Sequence, residues 1–327
     1  MEKLSISQIY AKGKENIEKA GYKRIWPPDS NINTSFRANR KYLESMFFQT
    51  KFFDPVEVDT SLTLFGVKLK TPIYSSPMSG FNQMGETALA DIARGLAQAG
   101  SLMMLGIGGS ADLQTAIDTG VPVVKIVKPY RETKLIYEKI RDAESRGCVA
   151  VGMDIDHFYG RLAGDRVDRD DIFGPKRTEE IQQLFSQTKL PFIIKGVLSV
   201  ADAKKAVEIG ASAVVVSNHG IGAIDFTLPA IVALPTIVRS VGDRVTVFID
   251  TGFRTGNDVL KALAFGARAV GFASSVLLAW GAGGAEGVAS LVTQLTAELR
   301  RTMAATGCAT LSVIDQSIIV EVPMMRE

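Results

Sequence analysis

Short apolar segments alternate with longer amphipathic segments from about residue 71 onward. Eight of the apolar segments are continuous rather than alternating, which is typical of parallel strands covered on both faces. They occupy residues 72–78, 102–107, 122–127, 149–155, 191–197, 213–217, 245–249 and 269–273. Helical periodicity follows them, at residues 86–99, 110–118, 132–146, 178–187, 200–209, 227–240, 256–265 and 285–305. Eight strand–helix units predict a closed (β/α)8 TIM barrel. A doubly wound open sheet is the main alternative, and the count of eight disfavours it.

The first 70 residues lack this alternation. Residues 6–20 have the pattern of an amphipathic helix, Pro27-Pro28 interrupts the chain, and residues 36–45 predict a second short helix. We therefore predict an N-terminal helical cap over residues 1–70. It is expected to pack on a barrel formed by residues 71–327 rather than to form a separate domain.

Two loops of the predicted barrel have a distinctive composition. The charged segment 159–175, after the fourth strand, fits either a mobile lid or a solvated surface loop. The glycine-rich segment 281–287, after the eighth strand, predicts a close approach of the backbone to a ligand.

The overall composition narrows the classes of partner. Of the 327 residues 46% are hydrophobic, and the net charge is +2 without a basic block, so neither nucleic acid nor a membrane surface is an expected partner. No apolar run approaches the ~20 residues of a membrane span. Cys148 and Cys308 are isolated and lack metal-ligand spacing, which predicts a reduced, cytoplasmic protein without a metal site, although one disulfide is an alternative.

Chemically active side chains end three successive predicted strands. His219, one of two histidines, lies in the sequence SNHG at 217–220, and Lys195 and Asp250 end the neighbouring strands. Catalytic groups of such barrels lie at the C-terminal ends of the strands, and a neutral imidazole accepts a proton near pH 7. A lysine inside a β-branched strand is costly unless it meets a ligand. These residues therefore predict an active site; the alternative for His219 is a structural histidine.

The ends of the last two strands predict a phosphate site. Gly252 and Arg254 follow the seventh strand, and Ser274 follows the eighth. In this fold the corresponding loops commonly hold phosphate, through backbone amides at a helix start and an arginine. The expected ligand is a phosphorylated cofactor lying across the barrel mouth.

Several stretches match one protein family in order and spacing. They are DTSLTLFGV (59–67), IKGV (194–197), SNHG (217–220), DTGFRTGNDV (250–259), KALAFGA (261–267) and GAEGV (284–288). Over roughly residues 50–315 the chain resembles the FMN-dependent α-hydroxy-acid oxidases and dehydrogenases, which include glycolate oxidase and lactate oxidase. The resemblance implies FMN as cofactor, a small-molecule substrate and an electron acceptor that the sequence does not identify. It also implies a homo-oligomer, usually a tetramer.

The resemblance implies roles for individual residues. His219 is the base that takes the substrate proton, Asp154 pairs with it, and the catalytic Lys195 lies beside N1 and O2 of the flavin. Asp250 binds the ribityl hydroxyls. The implied contacts with FMN are Pro77, Met78, Ser79, Gly106, Lys125, Lys195, Ser217, Asp250, Gly252, Arg254, Ala273 and Ser274. The residues expected to face the substrate are Lys125, His157, Arg161 and His219.

Four positions depart from the family pattern. Gly222 stands where the family has the arginine that binds the substrate carboxylate, and Ser274 replaces a phosphate-binding arginine. Lys125 replaces a flavin-contacting glutamine, and Val127 replaces a tyrosine two residues later. A bidentate arginine–carboxylate pair contributes roughly 2–5 kcal/mol, so glycolate and lactate are expected to be weak substrates. The cations that could supply a relocated anion site are Lys125, Lys128, Arg161 and Arg166.

The leading function is therefore an FMN-dependent oxidoreductase acting on a CH–OH or amine-bearing carbon of a substrate other than a simple short hydroxy acid. Two alternatives stay open: an FMN-dependent isomerase of the prenyl diphosphate type, and a flavin-binding protein without catalysis. The intact SNHG motif at 217–220 disfavours the isomerase.

Overall fold

The computed structural model describes residues 4–21, 34–81, 84–156, 172–220 and 224–322 of the chain. The described part of the N-terminal segment contains two helices, as predicted, and also three short strands that were not predicted. These elements are α1 (Ile6–Lys19), α2 (Thr34–Glu44), β1 (Met46–Phe48), β2 (Leu62–Leu64) and β3 (Val67–Leu69). The predicted helices are therefore present, and the segment also supplies a β-hairpin from β2 and β3.

Eight parallel strands close into a barrel, which confirms the predicted (β/α)8 TIM fold. They are β4 (Ile73–Met78), β5 (Leu102–Leu105), β6 (Val123–Val127), β7 (Ala150–Asp154), β8 (Phe192–Val197), β9 (Ala213–Val216), β10 (Thr246–Asp250) and β11 (Ala269–Phe272). Strand β11 pairs with β4 and so closes the sheet. A further strand, β12 (Ile319–Glu321), lies outside the barrel and pairs antiparallel with β1.

The helices surround this barrel. They are α3 (Ala88–Gln98), α4 (Ser110–Ile117), α5 (Thr133–Ser145), α6 (Thr178–Phe185), α7 (Val200–Glu208), α8 (Ala230–Val241), α9 (Gly256–Ala264) and α10 (Ser274–Ala305), with 3-10 turns at Leu311–Val313 and Gln316–Ile318. The predicted bounds agree with these to within three residues, except at the start of α10. Helix α10 begins directly after β11 because residues 274–282 continue the apolar helical pattern up to a break at the glycines.

The barrel interior is apolar at its N-terminal end, where the hairpin β2–β3 closes it. Leu62, Leu64 and Leu69 of the hairpin belong to the same buried cluster as Tyr74 and Phe248 of the barrel strands. The hairpin thus removes apolar side chains at the bottom of the barrel from water, which stabilises the closed sheet.

Gly281 lies at the contact between α10 and α1. Helix α10 breaks at Gly283 and Gly284, and the latter has a φ of 58°. A Cβ at Gly281 would lie 2.7 Å from Ile17 of α1, and one at Gly13 would lie 1.9 Å from the Leu278 carbonyl oxygen. Gly13 and Gly281 therefore let α1 and α10 approach closely, and the predicted role of segment 281–287 in approaching a ligand stays a prediction.

Helix α10 is long and apolar enough to cross a membrane by length and composition alone. In the fold it packs along α1 and α3, and its buried residues, including Leu291 and Leu295, join the hydrophobic core. The prediction that the chain makes no membrane span stays a prediction.

Contacts between the N-terminal segment and the barrel fix the loop after β10. Arg40 of α2 donates to Asp258 Oδ2 at 2.7 Å and to the Gly252 carbonyl oxygen at 3.2 Å. Asp258 in turn accepts from the Thr255 amide at 3.1 Å, while Thr255 Oγ1 accepts from the Asp258 amide and so caps α9. The cap segment therefore holds in place the loop in which the sequence predicts a phosphate site.

Candidate active site

Side-chain alternation places a layer of polar residues at the C-terminal end of the barrel. Tyr74, Ile126, Ile193, Val215 and Phe248 point inward within the apolar interior. On each of these strands, a buried polar side chain lies two residues further along and points to the same face. Strand β7, between β6 and β8, adds Asp154. We call these residues the polar ring; they are Ser76, Lys128, Asp154, Lys195, Ser217 and Asp250.

Lys195 lies at the centre of the polar ring. Its Nζ is 3.1 Å from Ser217 Oγ, 3.3 Å from Asp154 Oδ1 and 3.7 Å from Asp250 Oδ2. Burial opposes a charge on Lys195, but the carboxylates of Asp154 and then Asp250 outweigh it and raise the pKa of the ammonium. The predicted juxtaposition of Lys195 and Asp250 is therefore present, and the ring carries a permanent cation.

Asp154 is shared by two lysines. Its Oδ2 accepts from Lys128 at 2.5 Å, and its Oδ1 forms an ion pair with Lys195. Burial tends to raise the pKa of Asp154, but Lys128 and Lys195 hold it well below its usual value. The expected pairing of Asp154 with His219 is only peripheral, since His219 Nδ1 lies 3.9 Å from Asp154 Oδ1.

The carboxylate closest to the histidine is Asp156. His219 Nδ1 lies 3.2 Å from Asp156 Oδ2 and 3.3 Å from Oδ1, and it is also 3.3 Å from Lys195 Nζ. No role was predicted for Asp156, although it stands only two residues from Asp154. Asp156 lies two residues beyond Asp154, just past the end of β7, and its carboxylate reaches the same cluster.

His219 has a left-handed backbone conformation with a φ of 61°. This conformation is uncommon outside glycine and carries strain. The His219 amide donates to Ser217 Oγ at 3.1 Å, and the Gly220 amide donates to Asn218 Oδ1 at 3.3 Å. Asn218 is itself held by Asn39 Nδ2 at 3.1 Å. Helix α2 and the SNHG turn thus fix the imidazole beside Lys195.

Lys125 does not join the polar ring, so its predicted contacts with flavin and substrate are wrong. Because Val124 and Ile126 point into the barrel, Lys125 points outward to the helices. Its Nζ donates to the Gly106 carbonyl oxygen at 2.6 Å, and burial, with Lys139 nearby, lowers its pKa to about 8.

The same alternation also places Val127, the residue matched to the family's tyrosine, outside the barrel interior. Val127 lies in the outer core between strands and helices, so it cannot occupy an inward-facing position. The inward-facing residue after Ile126 is Lys128, which contacts Asp154. A cation in the polar ring therefore comes from Lys128 rather than from Lys125.

The remaining predicted FMN contacts lie at this end of the barrel. Residues Pro77, Met78 and Ser79 end β4, Gly106 follows β5, and exposed Arg254, Ala273 and Ser274 lie after β10 and β11. Thr251 and Gly252 have φ values of 84° and 90°, and a Cβ at Gly252 would lie 2.8 Å from Asn39 Cβ. Glycine is thus required where the backbone turns toward the predicted phosphate site.

Two buried oxygen atoms of the polar ring test whether the residues fit a flavin. Among the described residues Ser76 Oγ has no hydrogen-bond partner, and Asp154 Oδ1 has only ion-pair contacts, with Lys195 at 3.3 Å and His219 at 3.9 Å. Buried polar atoms of this kind normally have partners, and a ring with heteroatoms at its edge, stacked on this surface, would supply them. With Lys195 as cation, Asp250 as acceptor for hydroxyls and Arg254 beside a helix start, the residues fit FMN.

Asp154, Asp156 and His219 also have the spacing of a metal site, and they form the one such group in the part of the chain that the structure describes. Lys195 contacts Asp154 and His219, and Lys128 contacts Asp154. Two ammonium groups at this distance disfavour a metal cation. The prediction of no metal site stays a prediction.

A cavity of about 370 Å³ adjoins the polar ring. It lies outside the barrel wall, between β7, β8 and the helices α6 and α7. No member of the polar ring lines it, and the lining residues next to the ring are Asp156, Gly196 and Asn218. Neither Gly252 nor Arg254 lines it, so it is not the predicted flavin surface. His157, Arg161, Gly222 and most of the 159–175 segment lie outside the described residues, and their predicted roles stay predictions.

Comparison with known proteins decides the family. The sequence profile of the FMN-dependent dehydrogenases matches residues 26–172 and 169–321, which together are most of the chain. The chain belongs to the FMN-dependent dehydrogenase family. Like its relatives, this family member uses FMN and is an oxidoreductase that acts on CH–OH groups.

Individual relatives agree with this family assignment. The 4-hydroxymandelate oxidase of Amycolatopsis orientalis is 30% identical over 318 residues, covering 85% of this chain and 88% of that protein. Glycolate oxidase 3 of Arabidopsis thaliana is 27% identical, and the alignment covers 98% of this chain and 96% of that protein. A mandelate oxidase variant solved with (S)-mandelic acid superposes with a TM-score of 0.88 at 28% identity, covering 98% and 99% of the two chains.

Proposed function

We propose that this FMN-dependent dehydrogenase oxidises the CH–OH carbon of a small 2-hydroxy acid or a close derivative of one. The observation that carries the proposal is the contact between His219 Nδ1, Lys195 Nζ and Asp156 at the mouth of the barrel. A base and a fixed cation lie together on the surface that fits a flavin. This arrangement supports oxidation better than isomerisation or non-catalytic binding.

His219 takes the hydroxyl proton of the substrate as the carbon is oxidised. FMN, when bound, would accept the hydrogen of that carbon together with its two electrons, as a hydride. Lys195 supplies positive charge where the flavin gains negative charge, and it needs no rearrangement because Asp154, Ser217 and Asp250 already hold it. The imidazolium formed from His219 is stabilised by the carboxylate of Asp156.

The test is loss of the oxidised flavin absorption band under anaerobic conditions. Purified protein carrying FMN is mixed with glycolate, lactate, mandelate or 4-hydroxymandelate, and the spectrum is followed. Bleaching by at least one 2-hydroxy acid supports the proposal, while conversion of a substrate without bleaching would favour the isomerase.

The substrate carboxylate is expected to matter less here than in a family member with an arginine at position 222. Gly222 cannot form the bidentate pair that contributes roughly 2–5 kcal/mol. We therefore expect kcat/KM for mandelate and for its uncharged amide to differ by less than about tenfold, or about 1.4 kcal/mol. Glycolate and lactate, which offer little apolar surface, are expected to be the weakest substrates. Gly222→Arg is the matched variant, and it should restore preference for the acid; a strong acid preference of the unmodified protein would contradict this expectation.

We also propose a cytoplasmic homo-oligomer. Cys148 and Cys308 are both buried free thiols, which supports a reducing compartment. Phe47, Phe52 and Phe53 expose 55%, 76% and 87% of their surfaces close together in sequence, which supports burial against another copy. Light scattering coupled to gel filtration is expected to give a mass several times 35.2 kDa, and a monomer would contradict it.

A further inference from the structure

The imidazole of His219 meets charges of both signs at a single nitrogen atom. Lys195 Nζ and both carboxylate oxygens of Asp156 lie 3.2–3.3 Å from Nδ1. Two arrangements of the proton are conceivable in the neutral ring. If Lys195 donates to Nδ1, the ring proton is on Nε2; if Nδ1 donates to Asp156, the lone pair is on Nε2.

The charges around Lys195 and His219 favour the second arrangement. An ammonium has three protons to donate. Besides Nδ1, the oxygen atoms near Lys195 Nζ are Ser217 Oγ at 3.1 Å, Asp154 Oδ1 at 3.3 Å and, at ion-pair distance, Asp250 Oδ2 at 3.7 Å. Anionic oxygens attract its protons more strongly than a neutral ring nitrogen does. An ionised Asp156 can only accept, so it forms a hydrogen bond with Nδ1 only when Nδ1 carries the proton.

The two carboxylates that follow β7 then have different tasks. Asp154 is neutralised by Lys128 and Lys195, and it is the more distant of the two from Nδ1. Asp156 contacts Nδ1 with both oxygens. The pKa of Asp156 is held low mainly by His219, against the opposing effect of burial.

The neighbouring strand leaves room for Asp156 in this position. Gly196 of β8 has a φ of 93°, and a Cβ placed there would lie 2.6 Å from Asp156 Cγ. Any other residue at 196 would push the carboxylate away from the imidazole. The backbone of β8 is therefore shaped to accept Asp156.

We infer that Asp156 is the positioning residue of His219: its carboxylate accepts the Nδ1 proton and so keeps the lone pair on Nε2, the nitrogen that takes the substrate proton. This inference rests on the proposed function for its catalytic consequence, but the proton position itself is independent of turnover. In this chain Asp156 does the task that the resemblance assigned to Asp154.

The experiment measures the tautomer directly. The chain has only two histidines, so protein labelled with ¹⁵N-histidine gives two imidazole signals, and a His157→Gln variant assigns them. Solid-state NMR of the FMN-loaded protein, at a pH where the ring is neutral, is expected to show His219 protonated at Nδ1. Asp156→Asn, whose amide can donate to Nδ1, is expected to move the proton to Nε2.

Activity gives the second measurement. The wrong tautomer is expected to lower kcat for flavin reduction on the order of 10²- to 10⁴-fold, with little change in KM. Asp202→Asn is the matched control, because Asp202 is exposed, lines the same cavity and does not contact His219. It is expected to leave both the tautomer and kcat unchanged.

The outcomes separate this inference from the proposed function. Protonation at Nε2 in the unmodified protein overturns the role of Asp156 even if the enzyme is active. An unchanged tautomer in Asp156→Asn does the same. Protonation at Nδ1 that depends on Asp156, in a protein that no hydroxy acid reduces, would support the positioning role and contradict the proposed function.

Discussion

Replacing His219 with glutamine is expected to abolish reduction of the flavin by substrate on the time scale of the native reaction. The rate should fall on the order of 10⁴-fold, at the upper end of what a general base contributes. Glutamine can still contact Asp156 and Lys195 by hydrogen bonds, so the surroundings are kept, but its amide cannot take a proton. The measurement is the single-turnover rate of bleaching of the oxidised flavin band under anaerobic conditions.

Two controls make this result specific to proton transfer. The variant is expected to bind FMN, because His219 belongs to the SNHG turn and not to the phosphate loop around Gly252 and Arg254. Dithionite, which needs no base, should reduce the variant as completely as the unmodified protein. A fall of less than tenfold with substrate would mean that another group takes the proton.

Strand alternation explains which residues of this site could be predicted from the sequence. Continuous apolar segments located all eight barrel strands, and their ends located Lys195, His219 and Asp250. Alignment to the family pattern put Lys125 in the site, whereas counting in twos from Val124 puts Lys128 there. The period of two was available in the sequence, so the error could have been avoided.

Other features depended on contacts between residues far apart in the chain. Asp156 lies beyond the end of β7, and its contact with His219 joins residues 63 positions apart in the chain. The hairpin β2–β3 is six residues of strand, too short to stand out from the loop around it. The packing of Gly281 against α1 could not be predicted, because the two are far apart in the chain: Asn16 of α1, which donates to the Gly281 carbonyl oxygen, is 265 residues away.

The polar ring has a consequence for stability because its charges are balanced only as a group. Lys195→Met is expected to lower the free energy of unfolding of the apoprotein by about 3–5 kcal/mol, the usual effect of removing one partner from a buried ion cluster. It leaves Asp154 and Asp250 buried with less compensation. Lys128→Met should lower the free energy of unfolding by less, because Asp154 would still form its ion pair with Lys195. Lys134→Met is the control: its contact with a glutamate is on the surface, and such pairs contribute about 0–1 kcal/mol.

The pH dependence of this loss is the sharper measurement. The pKa of Asp154 is held below its usual value, first by Lys128 and then by Lys195, against burial. A carboxyl with a lowered pKa in the folded state stabilises the protein above its unfolded pKa of about 4, and this contribution disappears as the pH falls through the folded-state value. Removing either lysine raises the pKa of Asp154, so the variants should begin to lose stability at a higher pH than the unmodified protein.

Urea unfolding of the apoprotein between about pH 3 and pH 7 measures this, and keeping FMN out prevents cofactor binding from masking the difference. If the acid limb of the Lys128→Met variant coincided with that of Lys134→Met, Lys128 would not be the partner that keeps Asp154 ionised.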